Sequence, residues 1–341
     1  VYQKHAGNSH QQKHETDAYH GRQIGIGQPP SHYLVFSFTH IVLPIEVKDS
    51  EISKKIIIFV EILSLKTNSM DNSVKRVLFV NSEIYPYLPE SPIANIGRYL
   101  PQGIQERKKE IRSFMPRYGC INERKNQLHE VIRLSGMNIV INDVDRPLVI
   151  KVASISSARM QVYFIDNDDY FHRKSIYRDD KGEFFSDNGE RAIFFARGVL
   201  ETIKKQRWAP DIIHCQGWIS HVLPLYLKKA YIDDPIFSNS KIVLSLYDDT
   251  PKESFPADLK EKIMMGNISD KDVEILSDPS GMNLAKLAAS YSDGIILGAE
   301  EVAPELVEYC QESGLPVLPF NKEKFQDGTY IEDYNSFYDN L

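Results

Sequence analysis

The side chains best suited to chemistry follow three predicted strands. Glu83 comes after the first of these strands. His214 and Trp218 lie at the end of the second, and Tyr247 follows the third. Ligands of parallel α/β sheets bind beyond the carboxyl ends of the strands. We therefore expect these groups to meet at one edge of a sheet, where they can bind a ligand or act on it.

Each of these groups also has a purely structural interpretation. Glu83 and Glu90 are both carboxylates, but the proline-rich loop between them fixes no distance, so hydrolysis by a carboxylate pair is not supported. His214 fits a hydrogen-bonded core histidine as well as a ligand. Trp208 and Trp218 flank one strand, and a large core aromatic is commoner than a ligand platform. Spacing alone leaves both interpretations open.

A second group of candidates precedes a predicted helix at 189–205, whose last turn is basic. Asp187 and Glu190 have the spacing of a capping box at the start of that helix, and capping alone accounts for them. Asn188 lies between them. Either helix capping or ligand binding is compatible with this pattern.

The elements that position these residues alternate between strands and helices. Strands are predicted at 76–80, 111–115, 211–215, 241–246, 293–297 and 315–318, and helices at 94–107, 189–205, 220–230, 284–290 and 304–310. Two extended runs, 147–153 and 160–165, predict an antiparallel insertion, and 251–280 predicts a surface connection with one short helix. Wholly apolar strands between helices are typical of α/β folds. The sequence therefore predicts a Rossmann-like parallel sheet with helices on both faces.

Composition excludes several classes of function. The 341 residues carry 40 Lys+Arg and 47 Asp+Glu, a formal net charge of −7, so no long-range positive field gathers nucleic acid or anionic lipid. No uninterrupted apolar run reaches the roughly 20 residues that a membrane-spanning helix needs. The 3 cysteines are far apart, which argues against a disulfide framework or a structural zinc site. We expect a cytoplasmic protein without a metal site or cofactor.

The first seventy residues differ in composition from the rest of the chain. They are rich in His, Gln, Asn and Ser, and the sequence predicts a poorly ordered extension over 1–69. Met70 comes shortly before the first clean strand and is a candidate for the natural start, with 1–69 upstream of it. A Rossmann-like domain is predicted over 70–320, followed by an acidic tail over 321–341.

Several segments together resemble the bacterial glycogen/starch synthase family. The first strand runs into Ser82-Glu-Ile-Tyr-Pro-Tyr87, similar to the family's Ser-Glu-x-x-Pro-Phe turn. The other segments are Met115-Pro-Arg-Tyr-Gly119, Phe164-Ile-Asp-Asn-Asp-Asp-Tyr-Phe171, Asp187-Asn188 with Arg191-Ala-Ile-Phe-Phe195, and Pro210-Asp-Ile-Ile-His-Cys-Gln-Gly-Trp218. Their order and spacing agree with the family from about residue 75 to 318.

The resemblance implies the N-terminal, Rossmann-like half of a two-domain GT-B glycosyltransferase. Such enzymes transfer glucose from ADP-glucose to an α-1,4-glucan such as glycogen, without an essential metal. The resemblance implies that Asp187 and His214 are catalytic. It implies that substrate contacts fall to Glu83, Tyr85, Glu90, Asn188, Trp218 and Tyr247. The nucleotide-sugar sits mainly on a second half, which we expect a partner chain to carry because the sequence stops at Leu341.

The sequence departs from the family at three motifs. The phosphate-binding Lys-Thr-Gly-Gly aligns with 89–92, Pro-Glu-Ser-Pro, which removes a cation and two glycines that allow close backbone approach. The family's His-Asp-Trp-His aligns with 216–219, and its Ile-His-Asn with 246–248, so two imidazoles are lost. These losses favour an alternative, a non-catalytic glucan-binding or regulatory module. A generic nucleotide-binding protein is opposed by the missing glycine-rich loop after Val80.

Overall fold

A computed structural model describes residues 33–38, 41–46 and 74–341 of the chain. Two antiparallel strands, β1 (Tyr33–Phe38) and β2 (Ile41–Glu46), form a unit separate from the one that spans 73–341. Met70 and the rest of the predicted extension over 1–69 lie outside the described residues.

The larger unit is built on one sheet of ten strands in the order β12-β11-β10-β9-β3-β4-β8-β7-β5, with β6 paired to β7. Their bounds are β3 Arg76–Asn81, β4 Glu110–Pro116, β5 His129–Glu130, β6 Met137–Ile141, β7 Val144–Ile155, β8 Met160–Asp166, β9 Ile212–Gln216, β10 Lys241–Leu246, β11 Gly294–Leu297 and β12 Val317–Leu318. All pairings from β12 to β8 are parallel. The predicted α/β fold is therefore confirmed.

The predicted insertion is antiparallel and continuous with the main sheet. β7 pairs with β8 from Val149 opposite Asp166 to Ile155 opposite Met160. β8 also pairs in parallel with β4, so the hairpin extends the sheet at one edge. The short strands β5 and β6 were not predicted. β5 has only two residues, and in β6 the apolar Val140 is exposed, so the sequence does not alternate as the burial does.

Helices cover both faces of the sheet. Their bounds are α1 Pro92–Glu106, α2 Glu123–Asn126, α3 Asp168–Phe171, α4 Asn188–Gln206, α5 Leu223–Leu225, α6 Leu259–Ile263, α7 Gly281–Ser290, α8 Pro304–Glu312, α9 Lys322–Asp327 and α10 Tyr330–Asp339. The helix predicted over 220–230 is broken into a 3₁₀ turn, α5 and a π turn at Tyr226–Ala230. Pro224 favours the first turn of a helix, which accounts for the late start.

The alternation of buried residues along β3 explains the two covered faces. Leu78 and Val80 face the larger core, which includes the apolar face of α4. Val77 and Phe79 face a second core, which α1 and α10 cover. The tyrosines of α10 in this core are Tyr330, Tyr334 and Tyr338, all buried. The segment 321–341, predicted as an acidic tail, thus contains two helices, and the second covers a sheet face.

We expect Tyr338→Phe to lower the free energy of unfolding by about 1–3 kcal/mol. The Tyr338 hydroxyl lies 2.7 Å from His214 Nδ1, and both side chains are fully buried. Its loss leaves that nitrogen only a 3.4 Å contact with Gln216. Urea unfolding measures the effect, and Tyr99→Phe, at a residue 48% exposed, is the control with a change below about 0.5 kcal/mol. Equal values for both variants would contradict the prediction.

Candidate functional site

The strand order reverses direction at β3, which places a crevice at the carboxyl ends of β3 and β9. The chain leaves β3 for β4 on one side of the sheet and returns to β9 on the other. The backbone N–H of Ser82 donates to the carbonyl of Gln216 at 2.9 Å and joins the two strand ends. Open α/β sheets bind ligands at such a switch point. A cleft of about 400 Å³ lies there.

Four segments supply the walls of this cleft. Two follow β3 and β9, one follows β10, and the fourth is the loop between α3 and α4. The residues lining it are Ser82, Glu83, Tyr177, Arg178, Phe184, Trp218, Asp248, Asp249, Thr250, Pro251 and Lys252. The sequence-predicted residues Glu83 and Trp218 are therefore brought together, as expected from their strand-end positions.

Gly217 sets the turn that carries Trp218 into the cleft. Its φ of 82° and ψ of 151° are open to glycine and strained for other residues. A Cβ at this position would lie 2.1 Å from the Ser82 hydroxyl. The turn lets the Trp218 backbone N–H donate to Asp249 Oδ2 at 2.8 Å. One carboxylate thus ties the end of β9 to the loop after β10.

The Asp249 carboxyl has a raised pKa. Burial, reinforced by the nearby negative charge of Glu83, raises the pKa of the Asp249 carboxyl to about 6, although the Trp218 N–H bond opposes the shift. Glu83 itself accepts a hydrogen bond from the Ser91 hydroxyl at 2.7 Å. Glu83 and Asp249 therefore both line the cleft with a carboxylate.

Aromatic rings form the floor and one wall of the cleft. Trp218 is 2% exposed and forms the floor, with ring centroids 4.7 Å from Tyr177 and 5.9 Å from Phe184. Tyr177 and Phe184 are half-buried and form the wall. The Tyr177 hydroxyl lies 2.8 Å from the Tyr118 hydroxyl, which fixes the ring from behind. Rigid aromatic faces beside carboxylates suit a ligand with both apolar faces and hydroxyl groups.

Asp187 and Asn188 support this wall from outside the cleft. Asp187 pairs with Arg173 through two oxygens, and Asn188 Nδ2 donates to the Tyr177 carbonyl at 2.9 Å. The capping-box prediction is wrong for the described chain: Asp187 makes no side-chain cap at α4, and Glu190 instead accepts from the Tyr170 hydroxyl and pairs with Lys262. Tertiary partners displaced the local capping interaction.

His214 and Tyr247 lie under α10 and not in the cleft. His214 is fully buried, with Nε2 2.7 Å from the Ser245 hydroxyl and Nδ1 2.7 Å from the Tyr338 hydroxyl. Burial lowers the pKa of His214 to about 3, so the ring is neutral. Tyr247 is buried in the same core. The geometry of His214 is that of a core histidine, and the catalytic role expected for it stays a prediction.

Tyr85 and Glu90 lie on the loop from β3 to α1 without lining the cleft. The Tyr85 backbone N–H donates to the Ala94 carbonyl at 3.0 Å, which ties the loop to the first turn of α1. Glu90 is exposed. Both residues follow Glu83 on the same loop.

Several cleft residues were not singled out from the sequence. Asp249 follows β10 by three positions, so the rule that ligands lie beyond strand ends was a sufficient signal for it. Tyr177, Arg178 and Phe184 come from a loop without periodicity, and no local signal marks them. Among the described residues, no group of three or more metal-binding side chains occurs and no helix is long and apolar enough to span a membrane.

We expect Asp249→Asn to gain stability over wild type as pH rises from about 4 to 6. A carboxyl whose pKa is about 6 in the folded state, against an ordinary 3.8, favours folding when protonated. Wild type therefore loses this contribution as pH rises through that window. Asparagine stays neutral and still accepts the Trp218 N–H. Urea unfolding at pH 4, 5, 6 and 7 measures the free energy of unfolding of Asp249→Asn minus that of wild type. This difference should rise by about 1–3 kcal/mol and then level off. A difference that is the same at every pH contradicts the prediction.

Comparisons with known proteins place the cleft in a recognised domain. A family model described as "Starch synthase catalytic domain" matches residues 76–318. The glycogen synthase of Chlorobium limicola is 34% identical over 233 residues, which cover 68% of this chain and 47% of the relative. That of Pelodictyon phaeoclathratiforme is 31% identical over 272 residues, covering 78% of this chain and 55% of the relative. The chain thus spans about half the length of the curated relatives it matches.

One solved structure has the same fold as this chain, although the two sequences have low identity. The catalytic domain of starch synthase IV from Arabidopsis thaliana, bound to ADP and acarbose, superimposes with a TM-score of 0.59 and 14% identity. The match covers 73% of this chain and 51% of that chain.

Proposed function

The chain belongs to the starch synthase catalytic-domain family, and from that premise we propose that it forms the glucan-binding half of a glycogen synthase-type glucosyltransferase. The reaction transfers glucose from ADP-glucose to the non-reducing end of an α-1,4-glucan. The single observation that carries the proposal is the cleft at the switch point of the family-matched sheet, lined by carboxylates and aromatic rings.

The proposed acceptor contacts come from Glu83, Asp249 and the rings of Trp218, Tyr177 and Phe184. Carboxylates accept strong hydrogen bonds from sugar hydroxyls, and rings pack against the apolar face of a pyranose. Positive charge that develops on the transferred sugar is stabilised by carboxylates nearby.

Asp187 and Asn188 act in this proposal as positioning residues. Asn188 holds the Tyr177 carbonyl, and Asp187 holds Arg173 beside the same loop. We propose that His214 and Tyr247 contribute only to the packing of the sheet under α10.

The donor requires groups beyond this cleft. The chain spans 47% and 55% of the two glycogen synthases above, and we propose that a nucleotide-binding half in addition to residues 74–341 completes the active site.

Transfer of radiolabelled glucose from ADP-glucose to glycogen tests the proposal, with a glycogen pull-down on the same preparation. Glycogen binding supports the acceptor cleft, and transfer supports the complete reaction. Binding that persists without transfer, even with a nucleotide-binding half present, would favour the non-catalytic alternative. Absence of both binding and transfer would overturn the proposed function.

We expect Trp218→Ala to weaken glycogen binding about tenfold or more, because it removes the floor of the cleft and the ring against which Tyr177 and Phe184 pack. Trp208→Ala is the matched control. Trp208 is 4% exposed and contacts Arg112 and Glu110 at the opposite end of the sheet. Both variants should lose similar stability, and binding measured below both unfolding transitions should fall in Trp218→Ala alone. Equal binding by the two variants contradicts the prediction.

A further inference from the structure

The charges around the cleft are predominantly negative. Glu83, Asp248 and Asp249 line it. Of the two cations that line it, Arg178 is already paired with Glu253 through both terminal nitrogens. Lys252 is exposed at the rim. A ligand entering this cleft therefore meets a net negative surface.

The amino end of helix α1 is the natural position for an anion beside this cleft, and a carboxylate of the chain occupies it. Ser91 caps α1 by accepting the Ala94 N–H at 3.0 Å. The same hydroxyl donates to Glu83 Oε2 at 2.7 Å. The Glu83 carboxylate thus lies beside a helix end whose dipole attracts negative charge. Pro92 has no N–H, and the N–H groups of Ala94 and Asn95 are already bonded to Ser91, so this end offers few donors to a phosphate.

Close packing holds Glu83 in this place. A Cβ on Gly97 of α1 would lie 2.3 Å from the Glu83 carbonyl oxygen, so the helix touches the backbone that carries the carboxylate. The loop before α1, Pro89-Glu-Ser-Pro92, contains neither a cation nor a glycine. A phosphate group approaching this helix end would have to displace Glu83 and would meet no compensating positive side chain.

The remaining polar groups of the cleft suit hydroxyl donors. The Ser82 hydroxyl lines the cleft and is buried without a hydrogen-bond partner among the described residues. One oxygen of Asp249 accepts the Trp218 N–H. A buried polar group without a partner is destabilising, and a ligand hydroxyl would satisfy it. Neutral sugars carry many such donors and no charge that the carboxylates repel.

We infer that this cleft selects uncharged sugar units and excludes nucleotide diphosphates, because the chain's own Glu83 fills the anion position at the start of α1. The inference rests on the proposed function and narrows it: the cleft holds the glucan acceptor, and the diphosphate of the donor must be neutralised by groups outside the cleft.

Isothermal titration calorimetry of the full chain with maltoheptaose, with ADP and with ADP-glucose tests the inference. Maltoheptaose should bind with an affinity that changes little between 20 and about 300 mM salt, because the ligand is neutral. ADP should bind at least about 100-fold more weakly than maltoheptaose. ADP binding as tight as that of maltoheptaose overturns the inference and leaves the proposed acceptor site standing. Absence of maltoheptaose binding overturns both the proposed function and the inference.

The double variant Glu83→Gln with Asp249→Asn tests the charge basis directly. Both replacements keep an oxygen that accepts the Ser91 hydroxyl or the Trp218 N–H, so the loops stay in place. ADP affinity should rise about tenfold or more as two like charges are removed. Asp233→Asn, at an exposed carboxylate that does not line the cleft, is the matched control and should leave ADP affinity unchanged. Unchanged ADP affinity in the double variant overturns the inference.

Discussion

Gly217→Ala is expected to abolish measurable saccharide binding and to lower the free energy of unfolding by about 2–5 kcal/mol. Gly217 has φ 82° and ψ 151°, a region that residues with a Cβ adopt only under strain. The added Cβ would lie 2.1 Å from the Ser82 hydroxyl and 2.6 Å from its Cβ. Relief of that contact moves Ser82 or Trp218, and both line the cleft.

Gly314→Ala separates the contact from the backbone strain. Gly314 lies between α8 and β12 and has φ 73°, but a Cβ there meets no atom within 4 Å. This control should lose about 1 kcal/mol and keep its affinity for maltoheptaose. Urea unfolding and calorimetry on both variants give the two quantities separately. Wild-type affinity in folded Gly217→Ala would show that the turn at the end of β9 does not shape the ligand site.

The sheet could be predicted from the sequence because its strands are apolar on both faces. β3 and β10 were located to within one residue, since a buried parallel strand between two helices leaves a continuous hydrophobic run. Helix α4 was located because its apolar residues recur at helical spacing and its last turn is basic. These signals lie within single segments of the chain.

The candidate site was only partly predictable, because contacts between residues distant in sequence determine which side chains line the cleft. His214 ends a strand in the manner of a ligand-binding residue, yet Tyr338, 124 positions later, closes its Nδ1 inside the core. Asp187 has the type and position of a helix cap, yet Arg173 takes its carboxylate. In both cases the local pattern was present and a tertiary partner decided the outcome.

The position of the loop that carries Tyr177 and Phe184 also could not be predicted from the sequence. The apolar residues of this loop have no regular spacing, and hydrogen bonds from α4 fix its position at the cleft. Asn188 holds its backbone, and the guanidinium of Arg191 holds Asn188. The wall of the cleft therefore depends on a buried cation in the first turn of α4.

Arg191→Met is expected to lower the free energy of unfolding by about 3–5 kcal/mol and to weaken maltoheptaose binding in the protein that remains folded. The Arg191 side chain is 0% exposed. Its Nε donates to the Tyr170 carbonyl at 2.8 Å, and the guanidinium lies 5.9 Å from the centroid of the Tyr177 ring. Methionine fills part of the volume but leaves that carbonyl and the Asn188 side chain without a donor.

The binding readout distinguishes loss of the wall from general destabilisation. Arg191→Lys keeps a positive charge but not the planar fork that reaches two acceptors, so it should fall between wild type and Arg191→Met in both stability and affinity. Arg124→Met, on exposed α2, is the control and should change neither. Because Arg191 does not line the cleft, weaker binding at temperatures where each variant is folded reports movement of the 177–184 loop. An Arg191→Met protein that is destabilised yet binds maltoheptaose as wild type does would show that the loop holds its position without this guanidinium.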